Sequence, residues 1–282
     1  MKTLLSFGHG YSARALAPLL LDRGWRVVGT SRDPGKRAQP GVEMCRFPGD
    51  NIADDLQAAT HILVSAGPDA DGDPVLRELG QEIARHRYDW VGYLSTTGVY
   101  GDHGGGWVNE TTPVAPTTRR GRWRAQAEAN WQALDLPLHI FRLAGTYGPG
   151  RGPFAKVRAG TVRRIVKPGQ VFSRIHVEDI AQVLAASIER PNPGAIYNLC
   201  DDDPAPPQDV IGFAAGLLGV EPPPTEDFAT AEMTAMARSF YAENKRVRND
   251  RIKSELGIRL RYPDYRAGLR DLLARDTAGQ QD

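Results

Sequence analysis

Cysteine is almost missing from this sequence: Cys45 and Cys200 are the only two. Two thiols make neither a disulfide framework nor a four-ligand zinc site. No apolar run approaches the roughly 20 residues that a membrane-spanning helix requires. The stretch Met1–Phe7 turns into glycine too early to be a signal-peptide core, so a cytoplasmic protein is expected. An excess of one charge is also missing, since 35 Lys+Arg face 34 Asp+Glu for a net charge of +1. That balance argues against a chain built to coat nucleic acid or an anionic membrane. No H-E-x-x-H spacing occurs, and His176–Asp179 is a lone His-x-Glu-Asp cluster, so no metal is expected. A P-loop is excluded because five residues separate Gly29 from Gly35 and Lys36 is followed by Arg37.

What is present is a chain of 282 residues, 41% hydrophobic and 24% charged, which is the composition of a folded globular protein. Its first half alternates β-like runs with helical patterns. Thr3–Phe7, Arg26–Thr30, Glu43–Phe47, His61–Ser65, Trp90–Ser95 and Leu138–Leu143 read as strands. Ala13, Leu16, Ala17 and Leu20 recur at helical spacing between the first two, with Pro18 expected to kink that helix. Asp73-Pro74 opens another helix, Asp as cap and Pro in the first turn, with Val75, Leu79 and Ile83 on one face. Strands alternating with helices predict a doubly wound α/β fold around a parallel sheet.

After Gly148-Pro149-Gly150 the periodicity weakens. A helix is expected at Glu178–Glu189, a strand at Ala195–Cys200, and a helix near Gln208–Leu218. Asn249 is placed to cap a short helix closed by Gly257, Tyr262–Ala274 is amphipathic, and Asp276–Asp282 is expected to fray. These later pieces predict a small C-terminal lobe.

The first strand runs into Gly8-His9-Gly10-Tyr11-Ser12-Ala13, a G-x-G-x-x-A turn that opens a helix. Gly8 allows the tight turn, Gly10 lets backbone approach a pyrophosphate, and Ala13 permits close packing of helix on strand. The helix N-terminus then offers free N–H groups to phosphates. A site for NAD places Asp or Glu at the end of the second strand. Here that strand ends in Gly29-Thr30-Ser31-Arg32, with Lys36 and Arg37 close behind. A cation in place of the carboxylate favours a ribose 2′-phosphate, hence NADP over NAD. The expected cofactor set is Gly8, Gly10, Tyr11, Ser12 and Ala13, then Ser31 and Arg32, then Ser65 and Gly67 at the end of the fourth strand.

The segment Leu94-Ser95-Thr96-Thr97-Gly98-Val99-Tyr100-Gly101 resembles the Ser/Thr-x-x-Val-Tyr-Gly stretch of extended short-chain dehydrogenases/reductases, the family of nucleotide-sugar epimerases and dehydratases. Phe141–Gly150 and Arg174–Ala181 match in order, and Tyr197–Asp202 and Tyr262–Leu269 look like an atypical bacterial branch. The resemblance implies an NADP-binding Rossmann domain over 1–150 and 172–202, and a reduced substrate lobe over 151–171 and 203–282. It implies a homodimer only by analogy, and it makes Thr96 the Ser/Thr that polarises the reacting oxygen.

The family's Tyr-x-x-x-Lys is missing. Arg120 stands at the tyrosine position and Arg124 at the lysine position, and arginine holds its proton too firmly for acid–base work. Tyr100 and Tyr147 join Thr96 as catalytic candidates. Arg120, Arg124 and His176 are the substrate-binding candidates. The helix face bearing Arg120, Arg124 and Glu128 either clamps a carboxylate or phosphate, or is a solvated face with an Arg124–Glu128 pair. Gly104-Gly105-Gly106, flanked by Asp102 and His103, is placed as a mobile lid. Two functions follow: an NAD(P)-dependent oxidoreductase or epimerase-like enzyme acting on a small polar, anionic or nucleotide-sugar-like substrate, or an inactive NADP-binding sensor or scaffold.

Overall fold

The computed structural model describes residues 1–278. Its centre is a seven-stranded sheet of β1 (Thr3–Phe7), β2 (Arg26–Ser31), β3 (Val42–Arg46), β4 (His61–Val64), β5 (Trp90–Thr96), β6 (Leu138–Leu143) and β7 (Ile196–Leu199). The order is β3-β2-β1-β4-β5-β6-β7, and every neighbouring pair is parallel. This is the expected doubly wound α/β architecture. The chain winds outward from β1 to β3 and then crosses back to β4, so the crevice between β1 and β4 opens at their C-terminal ends.

The inner strands read as mostly apolar runs because both faces of the sheet are covered there, whereas the edge strand β3 is only partly buried. On one face Leu4 and Leu63 meet helix α1 (Tyr11–Leu21), through Leu16 and Leu20, and the later helix Val177–Glu189, through Ile180 and Leu184. On the other face Leu5, Ile62 and Ile140 meet α2 (Pro74–Arg85) and α3 (Arg119–Gln132), with Trp131 of α3 fully buried. Each such side chain contributes about 1.5–3 kcal/mol by leaving water. Asp73 caps α2, accepting from the N–H groups of Val75 and Leu76 at 2.9 and 3.1 Å. The helix expected to kink at Pro18 is a single α-helix from Tyr11 to Leu21. The carbonyl that Pro18 cannot bond, that of Arg14, accepts the side-chain amide of Gln39 at 2.9 Å.

The later segments form helices at Pro207–Leu217, Asp250–Leu256 and Tyr265–Ala278. A separate apolar cluster holds Tyr147, Phe154, Ala214, Tyr265 and Leu269. Three parallel strand pairs escaped the sequence reading: Gly145–Tyr147 with Arg174–His176, Arg164–Val166 with Thr225–Asp227, and Trp107–Val108 with Arg246–Val247. Two or three residues are too few to show an alternation. Asn249 precedes its helix but does not cap it, because its amide donates to Cys200 O and Asp202 Oδ1 at 2.8 and 2.7 Å. Asp276 to Ala278 continue the last helix rather than fraying, and the rest of the expected tail lies outside the described residues. Among the described residues no helix is long and apolar enough to cross a membrane. No group of three His, Cys, Asp or Glu among them could hold a metal ion.

Candidate active site

The glycine turn lies at the crevice between β1 and β4. Gly8 has φ +80°, and a Cβ there would come within 2.7 Å of the Ala66 nitrogen. Only glycine tolerates both the left-handed backbone and that approach. The Gly8 N–H donates to Thr30 Oγ1 at 3.1 Å and the His9 N–H to Thr30 O at 2.7 Å, so the turn is stitched to β2. Ser65 donates its hydroxyl to Gly8 O, which stitches the turn to β4. At Gly10 the nearest atom to an added Cβ is Gly8 O at 3.6 Å, leaving that side open. No side chain caps α1, whose first turn carries Tyr11, Ser12 and buried Ala13. An open glycine face beneath an uncapped helix N-terminus fits the pyrophosphate of a dinucleotide.

Ser31 Oγ accepts from the Asp33 N–H at 3.1 Å, forming a tight turn that exposes Arg32. Lys36 and Arg37 follow on the 3-10 turn Gly35–Arg37 and are also exposed. Asp33 is drawn to Lys36, at 3.2 Å. Arg14, in the first turns of α1, reaches the same place and donates to Arg37 O at 3.0 Å. Arg14 was missed in the sequence, although it directly follows the motif's Ala13.

Thr96 ends β5, two strands from the turn. Its Oγ1 accepts the Gly98 N–H at 3.1 Å, which leaves its own proton to donate elsewhere. Arg124 on α3 donates to Leu94 O at 2.8 Å and to Tyr93 Oη at 3.0 Å. Its Nη2 stands 3.5 Å from where a Cβ on Gly67 would be, so it bridges the ends of β4 and β5. Arg120, one turn earlier, is exposed. Glu128 corrects the expected Arg124–Glu128 pair: it is buried and bonds Arg142 Nη2 at 2.7 Å. Tyr100 does not reach the crevice. It is fully buried, donates to Asn198 Oδ1 at 2.7 Å, and lies under the Arg142 guanidinium. Burial pushes its phenol above the ordinary value.

The glycine loop expected to be a lid is strapped down. The N–H groups of His103 and Gly105 donate to Asn244 O at 3.0 and 2.9 Å, and Asp102 Oδ1 accepts from the Asn244 N–H at 2.7 Å. Lys245 closes the strap on Gly101 O at 2.7 Å.

Tyr11 donates to Pro149 O at 2.9 Å, and burial pushes its phenol up to about 12. Beyond it a cavity of about 400 Å³ is lined by Tyr147, Arg151, Lys156, Arg174, Tyr265 and Leu269 among others. Tyr147 is 8% exposed and its hydroxyl donates to Asp264 O at 3.4 Å. Arg174 donates to Phe172 O and Ala205 O at 2.8 and 3.0 Å and makes no ion pair with a described carboxylate. Asp201 hangs behind it, its N–H donating to Arg174 O at 2.6 Å. Burial pushes that carboxyl up to about 8 and lowers the Arg174 guanidinium from its ordinary value. Arg151, Lys156 and Arg174 were given no role by the sequence reading, although Arg174 opens one of the family-like segments.

His176 is fully buried, and its Nδ1 accepts the Glu178 N–H at 3.2 Å, capping the helix Val177–Glu189. Its ring packs against Tyr262 at 3.9 Å between centroids, tilted by 47°. Burial lowers its pKa to about 4. Because the folded value lies below the unfolded one, protonation favours the unfolded chain. Stability is therefore whole above pH 6.5 and falls as pH drops from 6.5 toward 4, by roughly 2–4 kcal/mol from this residue. Urea midpoints across that range should show the loss, and His176→Asn should make it shallower, His61 keeping its own share because burial holds it at about 4 as well; an equal slope in the variant would acquit His176.

No family model matches the chain. Protein YeeZ of Escherichia coli K12 is 32% identical, over 94% of this chain and 97% of its own length. A functionally unknown conserved protein from Silicibacter pomeroyi is 62% identical, with a TM-score of 0.94 over 98% of this chain and 99% of that one. The human epimerase family protein SDR39U1 (isoform 2), solved with NADPH, shares the fold at 20% identity, with a TM-score of 0.77 over 97% and 99%. With a relative at 32% identity matched along nearly its whole length, the chain belongs to the family of YeeZ, and its fold is that of the NAD-dependent epimerase/dehydratase proteins.

Proposed function

We propose that this protein is an NADP-dependent oxidoreductase or epimerase-like enzyme acting on a small, polar, anionic substrate. One observation carries the cofactor half: the end of β2 presents Arg32, Lys36 and Arg37, with Arg14 alongside, where a carboxylate would hold the ribose of NAD. The human relative solved with NADPH is in keeping with it. Gly8, Gly10 and the first turn of α1 would hold the pyrophosphate, with Tyr11, Ser12 and Ala13 in that turn. Ser31 and Arg32 would hold the ribose phosphate, and Gly67 would border the nicotinamide half. Ser65 works indirectly, by holding the turn through Gly8 O. Bound NADP supplies a hydride acceptor or donor.

The chain's own residues do the rest. Thr96 keeps a free hydroxyl proton to orient the reacting oxygen of the substrate. Arg124 fixes the end of β5 through Leu94 O and presents the rest of its guanidinium toward Gly67, stabilising negative charge without transferring a proton. The cationic cavity of Arg174, Lys156 and Arg151 takes the anionic end of the substrate, with Tyr147 and Tyr265 as its walls. A sugar nucleotide or a small phosphorylated or carboxylated compound meets that description. Arg120 is exposed one turn before Arg124, while His176 caps the helix behind Tyr147, against which its ring packs.

Arg32→Ala tests the reading. Loss of one charge-assisted contact should weaken NADPH binding about ten- to hundredfold and leave NADH nearly unchanged, by calorimetric titration. Equal losses for both would remove the 2′-phosphate from the argument.

A further inference from the structure

Pro18 is costly where it stands. A proline inside a helix forfeits one hydrogen bond, and here the forfeited acceptor is the carbonyl of Arg14. That carbonyl is satisfied from outside the helix, by Gln39 Nε2 at 2.9 Å. The other end of the same amide, Gln39 Oε1, lies 2.9 Å from His9 Nε2.

These contacts decide the protons. With Nε2 of Gln39 donating to Arg14 O, its Oε1 can only accept, so His9 carries its proton on Nε2. The remaining His9 Nδ1 is buried without a partner among the described residues. Burial holds the ring below its usual pKa, which agrees with a neutral tautomer. His9 itself is 1% exposed and lies against Gly29, where an added Cβ would meet its Cγ at 2.6 Å. The ring therefore has a single seat between β2 and the glycine turn. Gln39 follows closely on Lys36 and Arg37, and the Arg14 guanidinium binds the same stretch through Arg37 O and Ala38 O at 3.0 and 3.4 Å.

We propose that Gln39, recruited by the carbonyl that Pro18 frees, is a positioning residue that clamps the Lys36–Arg37 turn onto the glycine turn and thereby sets the preference for a 2′-phosphorylated cofactor. The proposal rests on the NADP reading above and adds what holds the cations in place. Exposed arginines and lysines on a free loop lose side-chain and backbone entropy when they close on a phosphate. A loop pinned at Gln39 has given up much of that freedom beforehand. The glycine turn is pinned by the same amide, so pyrophosphate and 2′-phosphate sites keep a fixed spacing.

The test is calorimetric titration of the full-length protein with NADPH and with NADH. In Gln39→Leu, which keeps the bulk and removes both hydrogen bonds, NADPH affinity should fall about three- to tenfold while NADH affinity holds. Pro18→Ala restores the helical donor to Arg14 O and competes with Gln39. Its NADPH/NADH ratio should shift the same way while its melting temperature rises, a combination that simple loss of structure does not produce. Equal loss of both cofactors in Gln39→Leu, or an unchanged ratio, overturns the clamp. An unchanged ratio in Pro18→Ala alone removes the proline from it. A wild-type protein with no preference between the two overturns the NADP reading itself, whereas a preference abolished by Arg32→Ala but kept in Gln39→Leu overturns only the clamp.

Discussion

Glu128→Ala is expected to cost about 3–5 kcal/mol, a large share of the roughly 5–15 kcal/mol margin of an ordinary domain. Glu128 and Arg142 face each other at 2.7 Å with side chains only 4% and 5% exposed. Two further contacts from Arg142 Nε, at 3.2 and 3.3 Å, complete a bidentate grip, and Ser95 donates its hydroxyl to the same carboxylate. Removing the carboxylate leaves a guanidinium in the core with neither counter-ion nor water, and that uncompensated charge dominates the loss. The double change Glu128→Leu with Arg142→Met should recover most of it, because two apolar groups of similar size pack where two charges had to be desolvated. Urea unfolding reads both variants. A single-variant loss below about 1 kcal/mol would mean that water reaches the pair after all. The pair also matters to the site: Ser95 precedes Thr96, and Glu128 lies one turn beyond Arg124, so the same contact keeps α3 against the end of β5.

The second large effect is at the glycine turn. Gly10→Val should weaken cofactor binding by roughly hundredfold or more while the melting temperature stays put. The added side chain enters open space, with only Gly8 O nearby, so the empty protein tolerates it. A pyrophosphate needs that same space. Gly8→Val should differ, losing stability as well as binding, since its φ of +80° and the 2.7 Å approach to Ala66 N leave no room for a Cβ. Titration with NADPH beside a thermal melt separates the two. Undiminished NADPH affinity in Gly10→Val would displace the cofactor from this turn.

Much of this molecule is written locally. All but the edge strand β3 of the central sheet are largely buried and so appear as short, mostly apolar runs, and all seven strands were legible to within a residue at their ends. The glycine turn is legible because a strand, a left-handed glycine and a helix start must coincide at fixed spacing. Arg32 is legible as the exposed cation that follows β2, because its place is set by chain distance from that turn. The Asp73-Pro74 cap needs only its own next three residues. Such features depend on backbone dihedrals and nearest neighbours, which the order of residues by itself determines.

The rest depends on who meets whom across the fold. Glu128 looks like the partner of Arg124 on a helical face, yet the helix turns it inward to Arg142, on the neighbouring strand. Tyr100 belongs to a motif that suggests chemistry, but its ring is spent between Arg142 and Asn198. The glycine-rich loop has the composition of a lid, and a strap more than a hundred residues downstream holds it shut. Arg174 gains its meaning only when Arg151, Lys156 and Tyr265 line the same cavity. Pro18 and Gln39 carry no joint signal at all until the helix carbonyl and the loop amide stand 2.9 Å apart. A polar or charged group takes its role from the partner that replaces its water, and only the tertiary structure chooses that partner, whereas apolar periodicity and turn chemistry were already decided by the sequence.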